Sequence, residues 1–238
     1  MRKMLKLFLC SLMLLGFAGF GHAAEETESL VRIIHASPDA PPLDVYANDE
    51  RIIQGLDYSD VSEYFLVPPS THKLEIKPAD DESTVLISEE ILVEEGTNYT
   101  LAAVGHLETI QLATMTDDQE TLEGKTKIRL AHFSPDASAL ELATPIGNEL
   151  FQEVTFTEVT DYMELDAGLH DFELHIAGTD DAVVEIYDLD MKEGAVFTAF
   201  VMGLVNGVPE LEVILLTDYM PMPNDIPKTG LGGASPVQ

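Results

Sequence analysis

Tryptophan is absent from this chain, cysteine occurs once, and basic residues are scarce. Each shortage excludes something. The single cysteine, Cys10, lies in an apolar N-terminal run, so no disulfide framework can hold the fold. Stability must come from packed apolar cores. Twelve Lys and Arg stand against 43 Asp and Glu, a formal net charge of −31. Such a surface repels DNA, RNA and anionic lipid, so nucleic acid is not an expected partner. Aromatics make up 7% of the chain. Without Trp, this favours core packing for Tyr46, Tyr58, Tyr64 and Tyr99 over a sugar-stacking platform. No segment matches the Asp-x-Asp-x-Asp-Gly loop that gathers oxygen ligands for calcium. The acidic surface reads as solvated. No window of about twelve residues shows helical spacing.

What is present begins with a leader. Arg2, Lys3 and Lys6 precede the apolar run Leu7 to Phe20, and Gly21-His22-Ala23-Ala24 follows. This is the pattern of a secretory signal peptide over residues 1–23, with cleavage after Ala23, or alternatively after Ala24. The run is too short for a membrane span, and none is expected once the leader is removed. The expected location is extracellular, at the cell surface or in the cell wall.

The remainder is a duplication. His35-Ala36-Ser37-Pro38-Asp39-Ala40 returns 97 positions later as His132-Phe133-Ser134-Pro135-Asp136-Ala137. Tyr58 to Tyr64 returns as Phe156 to Tyr162, each position identical or chemically close. Glu95-Gly96 to Gly105 returns as Glu193-Gly194 to Gly203. His72 and His170 are a further pair.

Within each copy, short apolar runs alternate with turn residues. His72, Leu74 and Ile76 face one way while Lys73, Glu75 and Lys77 face the other. His170, Phe172, Leu174 and Ile176 repeat this against Asp171, Glu173 and His175. Period two marks a half-buried strand. Asn206-Gly207 between apolar runs signals a hairpin. Val61 to Val67 is strand-like, but Glu63, and Asp161 in the second copy, fall on the apolar side, which points to an edge or bulge. The expected fold is all-β: two tandem immunoglobulin-like antiparallel β-sandwich domains, each of seven or eight strands. The domains are expected over 30–116 and 127–217. The polar segment from Asp117 to Thr126 between them predicts modules that fold independently, with some hinge freedom.

Val31-Arg32-x-x-His35-Ala36-Ser37-Pro38-Asp39-Ala40-Pro41-x-x-Asp44-Val45-Tyr46 resembles the opening of the domain of unknown function 4397 family. Val61-Ser62-x-Tyr64 and Tyr99 to Gly105 are similar to that family's middle and end. The likeness extends over about residues 30 to 217 as two copies. The second departs from it: Phe133 replaces Ala, Ser138-Ala139 replace two prolines, and Glu141-Leu142-Ala143 replace Asp-Val-Tyr. The resemblance implies an exported bacterial or archaeal protein and transfers no catalytic residue.

His35, Ser37 and Asp39 supply the residue types of a hydrolase triad. On a strand and turn their side chains diverge, and Ser37 lacks the Gly-x-Ser-x-Gly elbow. The expected role of His35, Ser37, Pro38 and Asp39, and of His132, Ser134, Pro135 and Asp136, is structural. Ser37 and Asp39 would bond nearby amides and fix a local turn, and His35 would bond across the end of the sandwich. His35 with His72, and His132 with His170, invite a metal reading with Asp39 or Asp136 as third ligand. No close His-x-His spacing supports it, and satisfied core histidines are expected instead, with no metal and no cofactor.

The C-terminus adds a motif. After the proline-spaced segment Tyr219 to Asp225, Ile226-Pro227-Lys228-Thr229-Gly230 resembles the Leu-Pro-x-Thr-Gly sorting signal of Gram-positive surface proteins. The resemblance implies a sortase-type transpeptidase cutting after Thr229. Ile226 stands in place of Leu, and the apolar, basic tail of such signals is missing. Residues 218–238 are thus expected to be an extended stalk. The function expected is an exported, monomeric, surface or wall-associated structural or binding protein without catalytic activity. The alternatives are a carbohydrate- or peptidoglycan-binding module and a metal-dependent extracellular enzyme.

Overall fold

The computed structural model describes residues 28–179 and 182–221. The expected signal peptide with Ala23 and Ala24, and the sorting-like motif Ile226 to Gly230, lie outside the described residues.

The fold is all-β, with eight strands from each copy. The first copy contributes β1 (Ser29–Ala36), β2 (Leu43–Ala47), β3 (Glu50–Leu56), β4 (Phe65–Val67), β5 (Ser70–Pro78), β6 (Ile87–Val93), β7 (Asn98–Val104) and β8 (Gln111–Asp117). The second contributes β9 (Lys125–His132), β10 (Leu140–Ala143), β11 (Glu149–Val154), β12 (Met163–Asp166), β13 (Gly168–Ile176), β14 (Ala182–Met191), β15 (Val196–Met202) and β16 (Glu212–Tyr219). A 3-10 turn at Leu107–Thr109 is the one helical element among the described residues.

Each copy is a sandwich of two four-stranded sheets. In the first the orders are β3-β2-β5-β6 and β4-β1-β7-β8; in the second they are β11-β10-β13-β14 and β12-β9-β15-β16. Pairing is antiparallel except for one parallel pair per copy, β1 with β7 and β9 with β15. The first and last parts of each copy thus meet at the centre of one sheet.

Three buried clusters divide the apolar residues. Val31, Ile33, Leu101 and Ala103 pack with Leu43, Val45, Leu74 and Ile76 inside the first sandwich. Ile128, Leu130, Phe197 and Ala199 pack with Leu140, Phe172 and Leu174 inside the second. The third cluster joins the copies: Ile34, Ala36, Ala102, Val104 and Met115 with Ala131, Phe133, Phe200 and Met202. On β1, odd-numbered side chains face their own sandwich and even-numbered ones face the other copy, as the two-residue strand period requires. The result is a four-layer stack with the β1 and β9 sheets inside. Strands buried on both faces carry continuous apolar runs, and β7 and β15 are buried at every position. The outer strands β5 and β13 keep the expected alternation.

Two expectations are corrected here. β8 extends through Asp117 and β9 starts at Lys125, so the connection is shorter than expected. A shared core across it replaces the expected hinge freedom. The segment from Val61 is not a continuous strand. Val61 makes an isolated bridge to Ile34, and pairing resumes only at Phe65. Ser62 Oγ accepts the Ile33 amide at 2.9 Å, and Thr160 Oγ1 accepts that of Leu130 at 3.0 Å. The break frees Glu63 and Asp161 to lie exposed, which resolves their apparent conflict.

Candidate functional site: the repeated motif and a buried ionic network

The His-x-Ser-Pro-Asp motif leaves the end of β1 or β9. His35 and His132 are fully buried. Each ring accepts an amide at Nδ1, from Ser37 or Ser134, at 3.3 Å. With Nδ1 an acceptor, Nε2 carries the proton, and it donates to the Pro41 carbonyl at 3.1 Å and to the Ser138 carbonyl at 3.0 Å. Burial lowers the pKa of both rings below the ordinary value, which keeps them neutral. The sequence placed the long-range bond on histidine and a local one on aspartate; the structure reverses this. His35 spans six residues, whereas Asp39 accepts the Leu107 amide at 2.7 Å and meets His106 Nδ1 at 3.3 Å. Asp136 likewise accepts the amides of Val205 and Asn206 at 2.8 and 3.0 Å. Each aspartate therefore ties the turn after the first strand to the loop that follows β7 or β15. Gly203 opens that loop at φ +82°, and a Cβ there would sit 2.2 Å from the Glu210 carbonyl oxygen, so only glycine fits. Pro38 and Pro135 sit in the turns between histidine and aspartate. Ser37 and Ser134 are fully buried, and Ser134 Oγ reaches Asp136 at 3.4 Å.

On the interface side of the same strands lies a second repeated constellation. Arg32 on β1 donates from Nε to Thr100 Oγ1 at 2.8 Å and from Nη1 to the Thr217 carbonyl at 3.1 Å, and its Nη2 pairs with Asp218. Arg129 on β9 donates to Thr198 Oγ1 at 2.8 Å and the Thr116 carbonyl at 2.7 Å, and pairs with Asp117 at 2.5 Å. Each arginine thus reaches across to the other copy's aspartate. Within its own copy, Asp117 Oδ2 accepts from Thr100 and Tyr64 at 2.6 and 2.7 Å. Asp218 Oδ2 accepts from Thr198 and Tyr162 at 2.5 and 2.8 Å. The guanidinium groups lie over the rings of Tyr64 and Tyr162 at 4.7 and 4.4 Å. Two positive and two negative charges, all buried, balance. Burial, with Asp117 or Asp218 alongside, raises both phenol pKa values. Burial also raises that of Asp218, against the pull of Arg32.

Residues 29–143 match the family described as Domain of unknown function (DUF4397). The DUF4397 match runs from β1 to the end of β10, so it holds the whole first copy and both histidine motifs. No curated protein matches the chain. Among solved structures the chain is similar to the Bacillus anthracis TIE protein, at 11% identity and a TM-score of 0.24. That similarity covers 75% of this chain and 34% of the other, so the chain spans about a third of that protein's length.

The remaining expected residues do not converge on the motif. His72 and His170 are not core residues but half-buried ones at the start of β5 and β13. Their apolar-side position is right, but it falls at the strand end, where the turn carbonyls are within reach. His72 contacts Asn48, Ser70 and the Pro68 carbonyl at 2.8 to 3.0 Å. His170 contacts the Asp166 carbonyl at 2.7 Å and stacks on Phe172. Among the described residues, no group of three or more His, Cys, Asp or Glu could hold a metal ion. The tyrosines are scattered: Tyr64 joins the ionic network, Tyr58 abuts His35, Tyr99 lines the core and Tyr46 lies under Lys77.

One hollow lies inside the first copy and another beside the connection between the copies. An apolar cavity of about 40 Å³ lies between the sheets of the first copy, lined by Val31, His72, Leu74, Val93 and Tyr99 among others. In the second copy the larger Ile128, Phe172 and Met191 stand where Val31, Leu74 and Val93 stand in the first, all fully buried. An open polar cleft of about 470 Å³ sits beside the connection between the copies, lined by Asp117, Asp118, Glu120 and Tyr162.

Sequence reading missed the ionic network. The signal was available: Arg32 and Arg129, Tyr64 and Tyr162, and Thr100 and Thr198 recur at the spacing of the repeat. By sequence alone Asp117 falls in the polar connecting segment, and its separation of 101 residues from Asp218 departs from the repeat spacing of the other pairs.

Proposed function

We propose that the chain is an exported, non-catalytic structural or binding protein of the cell surface or wall, built from two tandem DUF4397-type domains. The observation that carries this reading is the use of the repeated motif. In both copies the histidine nitrogens bond backbone groups, and the aspartate oxygens bond a distant loop. Groups so engaged hold the fold and are not presented to a substrate. The same atoms make equivalent contacts in both copies, as a duplicated scaffold requires. In this reading the two domains run from β1 through β8, residues 29–117, and from β9 through β16, residues 125–219. Ile226 to Gly230 would serve as the attachment signal for a sortase-type transpeptidase, and residues 1–23 direct export. The expected stalk cannot begin at residue 218, because Asp218 is buried in the ionic network and β16 runs through Tyr219.

A binding role draws on the open cleft at Asp118 and Glu120, whose polar lining beside Tyr162 suits a carbohydrate or peptidoglycan fragment. Fractionation of producing cells, with mass spectrometry of the chain's ends, tests the proposal. The expected result is a chain beginning at Ala24 or Glu25, found with the wall and ending at Thr229. Chain found only in the cytoplasm with Met1 retained would overturn it. Chain found in the medium and ending at Gln238 would remove the attachment step. Binding to isolated walls, lost on Glu120→Ala, would favour the ligand-binding form.

A further inference from the structure

The face that joins the two copies is symmetric in charge and asymmetric in volume. Arg32, Thr100, Asp117 and Tyr64 have equivalents of the same residue type in Arg129, Thr198, Asp218 and Tyr162. The apolar positions between them do not match in size. Ala36 and Ala102 stand in the first copy where Phe133 and Phe200 stand in the second, and Val104 stands where Met202 does. Ile34 against Ala131 runs the other way. Ala36, Ala102, Phe133 and Phe200 are all fully buried in one cluster. The rings of Phe133, just past the end of β9, and Phe200 on β15 lie 5.8 Å apart and tilted, and Ala36 and Ala102 stand on the paired strands β1 and β7 of the facing sheet.

We infer that the inner sheet of the first copy is a recognition surface whose partner is a second module of this type bearing Phe133 and Phe200, chosen by volume and not by charge. The ionic network cannot discriminate. Arg32 would meet the Asp117 of another chain's first copy much as it meets Asp218 here. Volume does discriminate. Two alanine faces brought together leave a void where the rings now sit, and lose the contacts that fill it. Two phenylalanine faces brought together overfill the same space. Only the pairing of first with second copy fills it once. The duplicated chain thereby satisfies its own face internally, while like-with-like pairing between chains is penalised.

Three variants of the full chain test this. Phe133→Ala with Phe200→Ala opens the void; Ala36→Phe with Ala102→Phe overfills it; the fourfold variant exchanges the sizes across the face. Thermal melting reads stability, amide exchange on β7 and β15 reads docking, and sedimentation reads assembly. Each double variant should melt lower by about 10 °C or more. The fourfold variant should regain at least half of the loss of the weaker double, with protection of β7 and β15 restored and the size of the unsubstituted chain. Losses that simply add in the fourfold variant would overturn the inference. If the overfilled double does not fold, Ala102→Val combined with Phe200→Leu reads the same coupling. Recovery relative to the two single changes supports the inference, and additivity refutes it.

Discussion

Arg32 and Asp218 lie 186 positions apart in sequence and form a buried ion pair between the two copies. Arg129 and Asp117 form its mirror. A buried pair of this kind gives little net stability over an apolar substitute, but removal of one partner strands the other's charge away from water. Arg32→Ala and Arg129→Ala should each therefore cost about 3–5 kcal/mol in urea unfolding. The exposed pair of Lys73 with Asp49 provides the control. Lys73→Ala should change stability by no more than about 1 kcal/mol.

Acid should weaken the fold through the histidines. Burial lowers the pKa of His35 and His132 below 6.5 in the folded chain. As pH falls through 6.5, the unfolded chain takes up protons that the folded chain refuses, and stability drops until the lowered folded values are passed. Unfolding free energy measured from pH 7.5 downward should fall below 6.5, with a shallower slope in His35→Gln and His132→Gln. Asp218 acts in the opposite sense: its raised pKa makes the folded carboxyl take up a proton first, above 3.8, which adds stability on acidification. A stability flat or rising from pH 7 to 6 would contradict the role given to the histidines.

The long-range aspartates should behave as tethers. Asp39→Ala leaves the Leu107 amide without its partner, and Asp136→Ala does the same to Val205 and Asn206. These bonds lie at the surface, where water can replace the carboxylate, so each loss should cost about 0.5–1.5 kcal/mol. Hydrogen exchange should quicken at those amides first, before any change in the outer sheets.

Much of this architecture is legible in the sequence. The alternation at His72 to Lys77 marks an outer strand, and the duplicated motif marks two copies of one fold. What could not be read was the docking of the copies. Thr100 to Val104 and Val196 to Met202 are apolar at nearly every position, which marks burial on both faces. Read one module at a time, such a run is only a buried strand, and the layer covering its second face is supplied by residues about a hundred positions away. Ser37 and Asp39 suited a local turn by residue type, and only the fold brings Leu107 within reach of Asp39.

The cavity in the first copy offers a simpler check on the packing. Val93→Met copies the side chain that the second copy carries as Met191. It should raise stability by about 0.5–2 kcal/mol, seen as a higher urea midpoint at unchanged slope. A loss of stability would mean that the space near Val93 is already committed.

Because the copies share one core, they should fold as one body. Differential scanning calorimetry of the full chain, without substitution and with Phe172→Asp, tests this most directly. Phe172 is fully buried in the second sandwich and makes no part of the shared cluster. A single transition whose calorimetric and van't Hoff enthalpies agree, with the first copy's melting lost or sharply lowered by Phe172→Asp, is the result predicted. Two separate transitions, with the first copy melting unchanged when Phe172 is replaced, would contradict it.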